Sequence, residues 1–328
     1  MVKRTIKRII AEQNVSTKAK RAKVSQPAPK SITLKFYPLT NSKIREPIQL
    51  PKIYLDTHTE TFIDGLKFIV DKDPGLYSSL NDDKAFGICL KNSDKENDVG
   101  VMNGFTRVRE LNFYFEKLAG GLISQQISGH AAAAIRKKIV GGLCNDGEEF
   151  PSPETFYQHT EEELRVFGLS HRKAEYIRRL SKAFMSDIEL DEIDEGIQFS
   201  PSYFENIDDA SLRVDLEKFK GIGPWSSSMF TMFALERLDI FEPGDLGIRR
   251  GFTQFLKKRP ALEKEARELL DSGVIPRTKK VSRNKKKDKY ISDVDLMNVI
   301  ADQFKPYRTI FMLLLWRISD TSVEAMSR

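Results

Sequence analysis

Asp245 is a lone carboxylate placed where the loop Glu242-Pro243-Gly244-Asp245 turns into an apolar-periodic stretch beginning at Leu246. An Asp in that position caps a helix by accepting a hydrogen bond from the N–H groups of the first turn. The same bond would hold its charge in a fixed direction. Pro243 follows Gly221 by 22 residues, and Gly221-Ile222-Gly223-Pro224 separates two amphipathic stretches. Two glycines permit positive φ and close approach of another backbone. The open N–H groups at the start of the second stretch, at its positive dipole end, form an anion site that a DNA phosphate fits. Ile222, between the glycines, is placed to pack back into the helix pair. The chain has two tryptophans, Trp225 just after the turn and Trp316 near the C-terminus. Their faces suit stacking against an electron-poor ring, and core packing is the plain alternative for each. Met229 lies one helical turn after Trp225.

Hydrophobic periodicity indicates the elements that must hold these residues. Phe62, Leu66 and Ile69 share one helical face, and Asp73-Pro74-Gly75 breaks that run. Residues Asn92 to Gly100 read as a polar loop. Leu111, Phe115, Leu118 and Leu122 mark a helix that Ser124-Gln125-Gln126-Ile127-Ser128 interrupts. An alanine-rich helix resumes from Gly129 to Val140, with Gly141-Gly142 as its expected stop. Thr160-Glu161-Glu162-Glu163 is a capping box, and Ser170 is placed to cap a basic helix containing Arg172, Lys173, Arg178, Arg179 and Lys182. Residues 186–206 are acidic and read as a loop. Further helices are expected over 208–219, 225–237, 246–257, 260–271, 291–303 and 306–319. A short strand is possible from Ile32 to Phe36. No solenoid-period repeat is present, so the pattern is all-α with two insertions.

Composition narrows the function classes. A chain of 328 residues can bury a large core. No apolar run reaches membrane-spanning length, since Ile310 to Trp316 is far too short, and no apolar secretory segment follows the basic N-terminus. Cys89 and Cys144 are the only cysteines. They cannot make a disulfide framework, a four-thiolate zinc site or an iron–sulfur cluster. The net charge of +6 is uneven: residues 1–30 carry +8 and residues 273–290 carry +7, leaving −9 for the rest. Basic segments on an acidic body attract phosphate backbones without reading sequence; a solvated tail and loop are the bland reading. The clusters Lys3-Arg4, Lys7-Arg8 and Lys20-Arg21-Ala22-Lys23 point to the nucleus, with a mitochondrial presequence as the weaker alternative.

Helix, Gly221-Ile222-Gly223-Pro224, helix, and then Pro243-Gly244-Asp245 at a helix start together resemble the helix-hairpin-helix Gly-Pro-Asp signature of the DNA glycosylase superfamily. The likeness spans roughly residues 50–320 and is greatest to its fungal and bacterial 3-methyladenine members. Lys305 to Trp316, Arg249-Arg250 and the lysine-rich loop add to it. The resemblance implies an all-α helix-hairpin-helix glycosylase fold with two helical subdomains flanking a base-binding cleft. The N-terminal α/β part of the bacterial relatives should be absent or reduced to a strand or two. The expected divisions are a disordered basic arm (1–30), a segment packing with the C-terminal helices (31–107), a helical core holding the hairpin (211–238) and Asp245 (108–258), and C-terminal helices with a lysine-rich loop (259–328).

By that resemblance Gly221, Ile222 and Gly223 grip the DNA backbone, and a monovalent cation can sit on the hairpin. No other cofactor and no protein metal site is implied. Asp245 is then catalytic: glycoside cleavage passes through an oxocarbenium-like sugar, which a fixed negative charge stabilises. A purine alkylated at N3 or N7 is already cationic and leaves without strong protonation. Trp225, Trp316 and Met229 would line the pocket for a base swung out of double-stranded DNA. Gln126 would fill the gap it leaves, and Arg172, Lys173 and Arg249 would contact phosphates. Bifunctional relatives carry a lysine just after the hairpin; this chain has Trp225, which implies a monofunctional enzyme without lyase activity, acting as a monomer. The alternatives are a glycosylase for another damaged or mismatched base and a non-catalytic helix-hairpin-helix module that only binds DNA.

Overall fold

The computed structural model describes residues 33–36, 49–80, 84–91, 98–102, 106–144, 149–278 and 289–321. The basic arm and most of the lysine-rich loop lie outside them. Among the described residues there are fourteen α-helices. They are α1 (Lys52–Thr57), α2 (Glu60–Lys72), α3 (Leu111–Ser124), α4 (Gly129–Leu143), α5 (Pro153–Gln158), α6 (Glu161–Val166) and α7 (His171–Lys182), followed by α8 (Pro201–Asn206), α9 (Asp209–Leu216), α10 (Pro224–Phe233), α11 (Leu246–Lys257), α12 (Pro260–Asp271), α13 (Val294–Ala301) and α14 (Arg308–Ile318). The only strands among them, β1 (Asp98–Met102) and β2 (Thr106–Arg109), pair antiparallel, Val101 opposite Arg107. None of these helices is long and apolar enough to cross a membrane.

Caps written in the sequence set several boundaries. Thr160 and Glu163 close a reciprocal capping box on α6. Ser128, Ser170 and Asp245 each accept a first-turn N–H at the heads of α4, α7 and α11. α11 and α12 match the expected ranges residue for residue. Four expectations need correction. The glycine pair does not end α4, which continues to Leu143; a Cβ on Gly142 would collide with the Phe167 ring, so that glycine serves helix packing. Residues 186–206 are not all loop: Phe199 and Phe204 are buried, and α8 forms there behind the Ser200 cap. Strand pairing joins Asp98–Met102 to Thr106–Arg109, the first of which begins within the stretch that reads as a polar loop, while residues 33–36 form no strand.

The helices bury two apolar clusters. One joins α1 and α2 to α11–α14, and the other joins α3 to α9. α10 is shared. Met229 and Met232 face the first cluster, while Phe230 and Ala234 face the second. That is the division of a helix into two faces. α11 packs chiefly on α14, in the cluster of the chain ends. Their closeness has a specific cause. A Cβ on Gly251 would overlap the Leu315 carbonyl oxygen, so only glycine lets these backbones approach.

The segment before β1 is pinned by His58, which is fully buried. Its Nδ1 lies 2.9 Å from the Ile88 carbonyl, and Phe86 N–H donates to its Nε2 at 3.2 Å. The carbonyl can only accept and the amide can only donate, so His58 is the neutral Nδ1–H tautomer. Desolvation, helped by the nearby positive charges of Arg317 and Lys91, pushes its pKa down to about 4. The unfolded chain takes up this proton near pH 6.5 and the native protein only near 4. The contribution of His58 is thus intact above pH 6.5 and falls by about 3 kcal/mol as the pH drops through that window. An NMR titration of the His58 ring should give a midpoint near 4; a midpoint near 6.5 would show that the imidazole is not held neutral.

Candidate active site

The hairpin is built by α9, its turn and α10. Gly221 has φ +89°, and a Cβ on it would strike Tyr176 and Leu122, so this glycine is required by both conformation and packing. Gly223 differs: it caps α10 with extended backbone and nothing lies near its missing side chain. Its value is open space before N–H groups that have no intrahelical acceptor. Ile222 is buried with Leu216, Phe219 and Phe230 and joins the two helices.

Asp245 stands at the head of α11 and accepts three N–H groups. Ile248 N–H donates to Oδ1 at 2.8 Å. The indole of Trp316 donates to the same oxygen at 2.9 Å, and the indole of Trp225 donates to Oδ2 at 2.9 Å. The described residues offer Asp245 no salt bridge. An ionised carboxylate has about four acceptor positions. Three are filled here in fixed directions, and one on Oδ2 is open to a ligand or water.

The two tryptophans are not equivalent. Trp225 is 39% exposed, so an indole face beside the carboxylate is open for stacking. Trp316 is 1% exposed and lies parallel to Phe233, ring centres 6.4 Å apart. Its ring therefore backs the carboxylate instead of offering a face. Met229 is buried in the same apolar cluster as Trp316.

Gln126 is exposed at the tip of the turn between α3 and α4, with φ +59°. Its neighbour Gln125 ties that turn to the hairpin, donating from Nε2 to the Gly221 carbonyl at 2.8 Å. Among the basic candidates, Arg172 is exposed. Lys173 is committed elsewhere: its ammonium donates to the carbonyls of Ile123 and Gln125 at 2.7 and 2.8 Å, and burial lowers its pKa. It braces the Gln126 turn. Arg249 donates to the Ile291 carbonyl at 3.1 Å and so fastens α11 to the stretch of chain before α13.

Sequence reasoning misses Glu242. It is buried, and its Oε1 accepts Gly244 N–H at 3.0 Å while Oε2 accepts the Ser228 hydroxyl at 3.0 Å. Its carbonyl accepts Asp245 N–H, closing the turn a second time. The carboxylate thus clamps the Pro-Gly turn and ties it to α10. The only signal in sequence is a charged residue next to the apolar Ile240-Phe241 pair.

A family model described as HhH-GPD superfamily base excision DNA repair protein matches residues 119–276. A Saccharomyces cerevisiae protein named DNA-3-methyladenine glycosylase is 33% identical over 291 residues, covering 86% of this chain and 88% of its own. DNA-3-methyladenine glycosylase 1 of Schizosaccharomyces pombe is 30% identical over 148 residues, 45% of this chain and 60% of its own. A solved structure described as DNA-3-methyladenine glycosidase from Bacillus halodurans aligns over 78% of this chain and 89% of that one, at 25% identity and a TM-score of 0.47.

Removing the clamp should loosen the site. Glu242→Ala leaves Gly244 N–H and the Ser228 hydroxyl without their partner and should cost about 1–3 kcal/mol. Glu242→Gln keeps an acceptor for Gly244 and should cost less. Urea unfolding reads both, and the indole N–H resonances of Trp225 and Trp316 should shift in the alanine variant. Unchanged stability and unshifted resonances would remove Glu242 from this role.

Proposed function

The chain belongs to the HhH-GPD superfamily of base excision DNA repair proteins, and from that premise we propose that it is a monofunctional DNA glycosylase that hydrolyses the N-glycosidic bond of alkylated purines, 3-methyladenine and 7-methylguanine among them, in duplex DNA. The observation that carries this reading is the Asp245 carboxylate held by two indole N–H groups, one of whose rings is open to solvent.

The target nucleotide is extruded from the duplex, since its glycosidic bond is otherwise out of reach. A cationic alkylpurine stacks on the open face of Trp225. Its C1′–N bond breaks heterolytically, and the bonding pair neutralises the charge on the departing base. The sugar is left as an oxocarbenium ion, which Asp245 stabilises from a fixed position. Water adds to C1′, its proton passing to Asp245 and then to solvent, and an abasic site remains. Trp316 and Ile248 N–H keep the carboxylate from swinging during this step. Gln126, on its braced turn, enters the gap in the duplex. Gly221, Ile222 and Gly223 seat a phosphate at the head of α10, with Arg172 beside the Gln126 turn. Lys173 and Arg249 act through the loops they fasten.

A monovalent cation at the hairpin fits the oxygen donors there. The carbonyls of Phe219, Gly221 and Gly223 already accept hydrogen bonds from Ile222 N–H, Gln125 and Ser227 N–H. Those of Lys220 and Ile222 are left to hold the ion, which would supply positive charge to a phosphate oxygen. The protein acts as a monomer in the nucleus, directed there by the clusters at Lys3-Arg4 and Lys20-Arg21.

Base release from methylated duplex DNA, measured in single turnovers, tests the reading. Asp245→Asn should lower the rate by about 100- to 1,000-fold and leave affinity for abasic duplex within a few-fold. Full activity in that variant would sink the assignment, and binding without release of any damaged base would favour a DNA-binding module. Borohydride should trap no covalent complex with abasic DNA, because no lysine stands beside the carboxylate where Trp225 does; a trapped adduct would overturn the monofunctional subtype.

A further inference from the structure

The outer face of α11 and the chain just before α13 enclose a cleft of about 390 Å³ that takes no part in the chemistry at Asp245. It is lined by Arg250, Thr253, Gln254, Lys257, Lys258, Lys289 and Tyr290. Arginines elsewhere in the C-terminal half are neutralised: Arg259 by Asp73, Arg267 by Glu263, Arg277 by Asp271 and Asp293, and Arg308 by Asp239 and Asp302. Arg250, Lys257, Lys258 and Lys289 have no acidic partner within 4.0 Å among the described residues. Instead Arg250 and Lys289 gather on the Tyr290 ring, at 5.5 and 5.4 Å from its centre. Lys289 first, then Arg250, lower the pKa of its phenol, which makes the hydroxyl a better donor to an anion. Cations at a helix C-terminus compensate its dipole, which accounts for Lys257 and Lys258 but not for Arg250 or Lys289.

Arg250 and Lys289, which dipole compensation does not explain, together with Lys257, Lys258 and a phenol around one concavity, call for a dense polyanion. Arg250 and Lys257 are two helical turns apart, about 10 Å along α11. Duplex DNA carries a charge about every 1.7 Å of its axis and can meet such a row continuously. Scattered carboxylates of an acidic protein would not. The position also matters. Asp245 heads the same helix, and the cleft begins about 8 Å and ends about 18 Å along it, within the roughly 34 Å of one duplex turn.

We propose that this cleft is a second DNA contact, which holds backbone phosphates of the duplex outside the lesion without reading their sequence. The inference rests on DNA being the substrate, as argued above. It makes α11 a two-ended element, with chemistry at its head and backbone capture along its outer face.

The test is the salt dependence of binding to a duplex of about 30 base pairs, comparing the full chain with a variant carrying Arg250→Gln, Lys257→Gln, Lys258→Gln and Lys289→Gln. The slope of log K against log salt should shrink by about 0.9 for each phosphate that the variant no longer neutralises, so by about 2 to 4. Base release at saturating DNA should be unchanged, because none of the four touches the reacting nucleotide. A single-site variant, Lys257→Cys bearing a photo-crosslinker, should join to DNA away from the lesion, independent of how the fourfold variant folds. An unchanged slope with no crosslink overturns the proposal. A polyglutamate peptide that binds the wild type but not the variant, with the DNA slope unchanged, also overturns it and assigns the cleft to an acidic protein. If the wild type binds no DNA at all, it is the glycosylase reading that fails.

Discussion

The carboxylate of Asp245 is held from three directions by N–H donors on three helices. Trp225 comes from α10, Trp316 from α14, and Ile248 from the helix that Asp245 itself caps. Each bond alone contributes modestly in water-exposed surroundings, but together they join elements from distant parts of the chain at one pair of oxygens. Much of the surrounding packing serves that meeting. Gly251 lets α11 lie against α14, and Gly247, where a Cβ would strike the Trp316 ring, lets the indole reach the carboxylate. Glu242 sets the turn that aims Asp245.

The shared helix α10 gives the arrangement its stiffness. Its two faces belong to two different apolar clusters, so the open indole at its start is fixed relative to both. Close-packed interiors leave side chains little room to shift. On the proposed reading, the face of Trp225 would be a preformed platform, lowering the ordering cost for a ring stacked on it.

Local features of this site were legible in the sequence, and its long-range pairings were not. The Asp245 cap, the Ser170 cap and the Thr160 capping box depend on residues within one turn, and they stand where the letters place them. The limits of α11 and α12 follow from apolar spacing and bounding residues. By contrast, Trp316 meets Asp245 across 71 positions and Gln125 meets Gly221 across 96. No periodicity reports such pairings. Gly142 misleads because a glycine that makes room for Phe167 looks, in a string of letters, like one that ends a helix. Lys173 looks like a solvent-facing cation for a similar reason, since only the fold shows two carbonyls waiting for it. The buried Phe199 and Phe204 are hidden by the acidic residues around them.

Gln125 and Lys173 fasten the turn that carries Gln126 to the hairpin turn at Gly221. The two protrusions thus behave as a single rigid tool, like a ploughshare bolted to its runner. On the proposed reading, wherever the runner met a DNA backbone the share would already stand at a set depth beside it. Inspection of each base step would then need no separate conformational event, and the pace of scanning would be governed by how readily a given step yields to pressure: intact stacked pairs resist, and weakened ones give way.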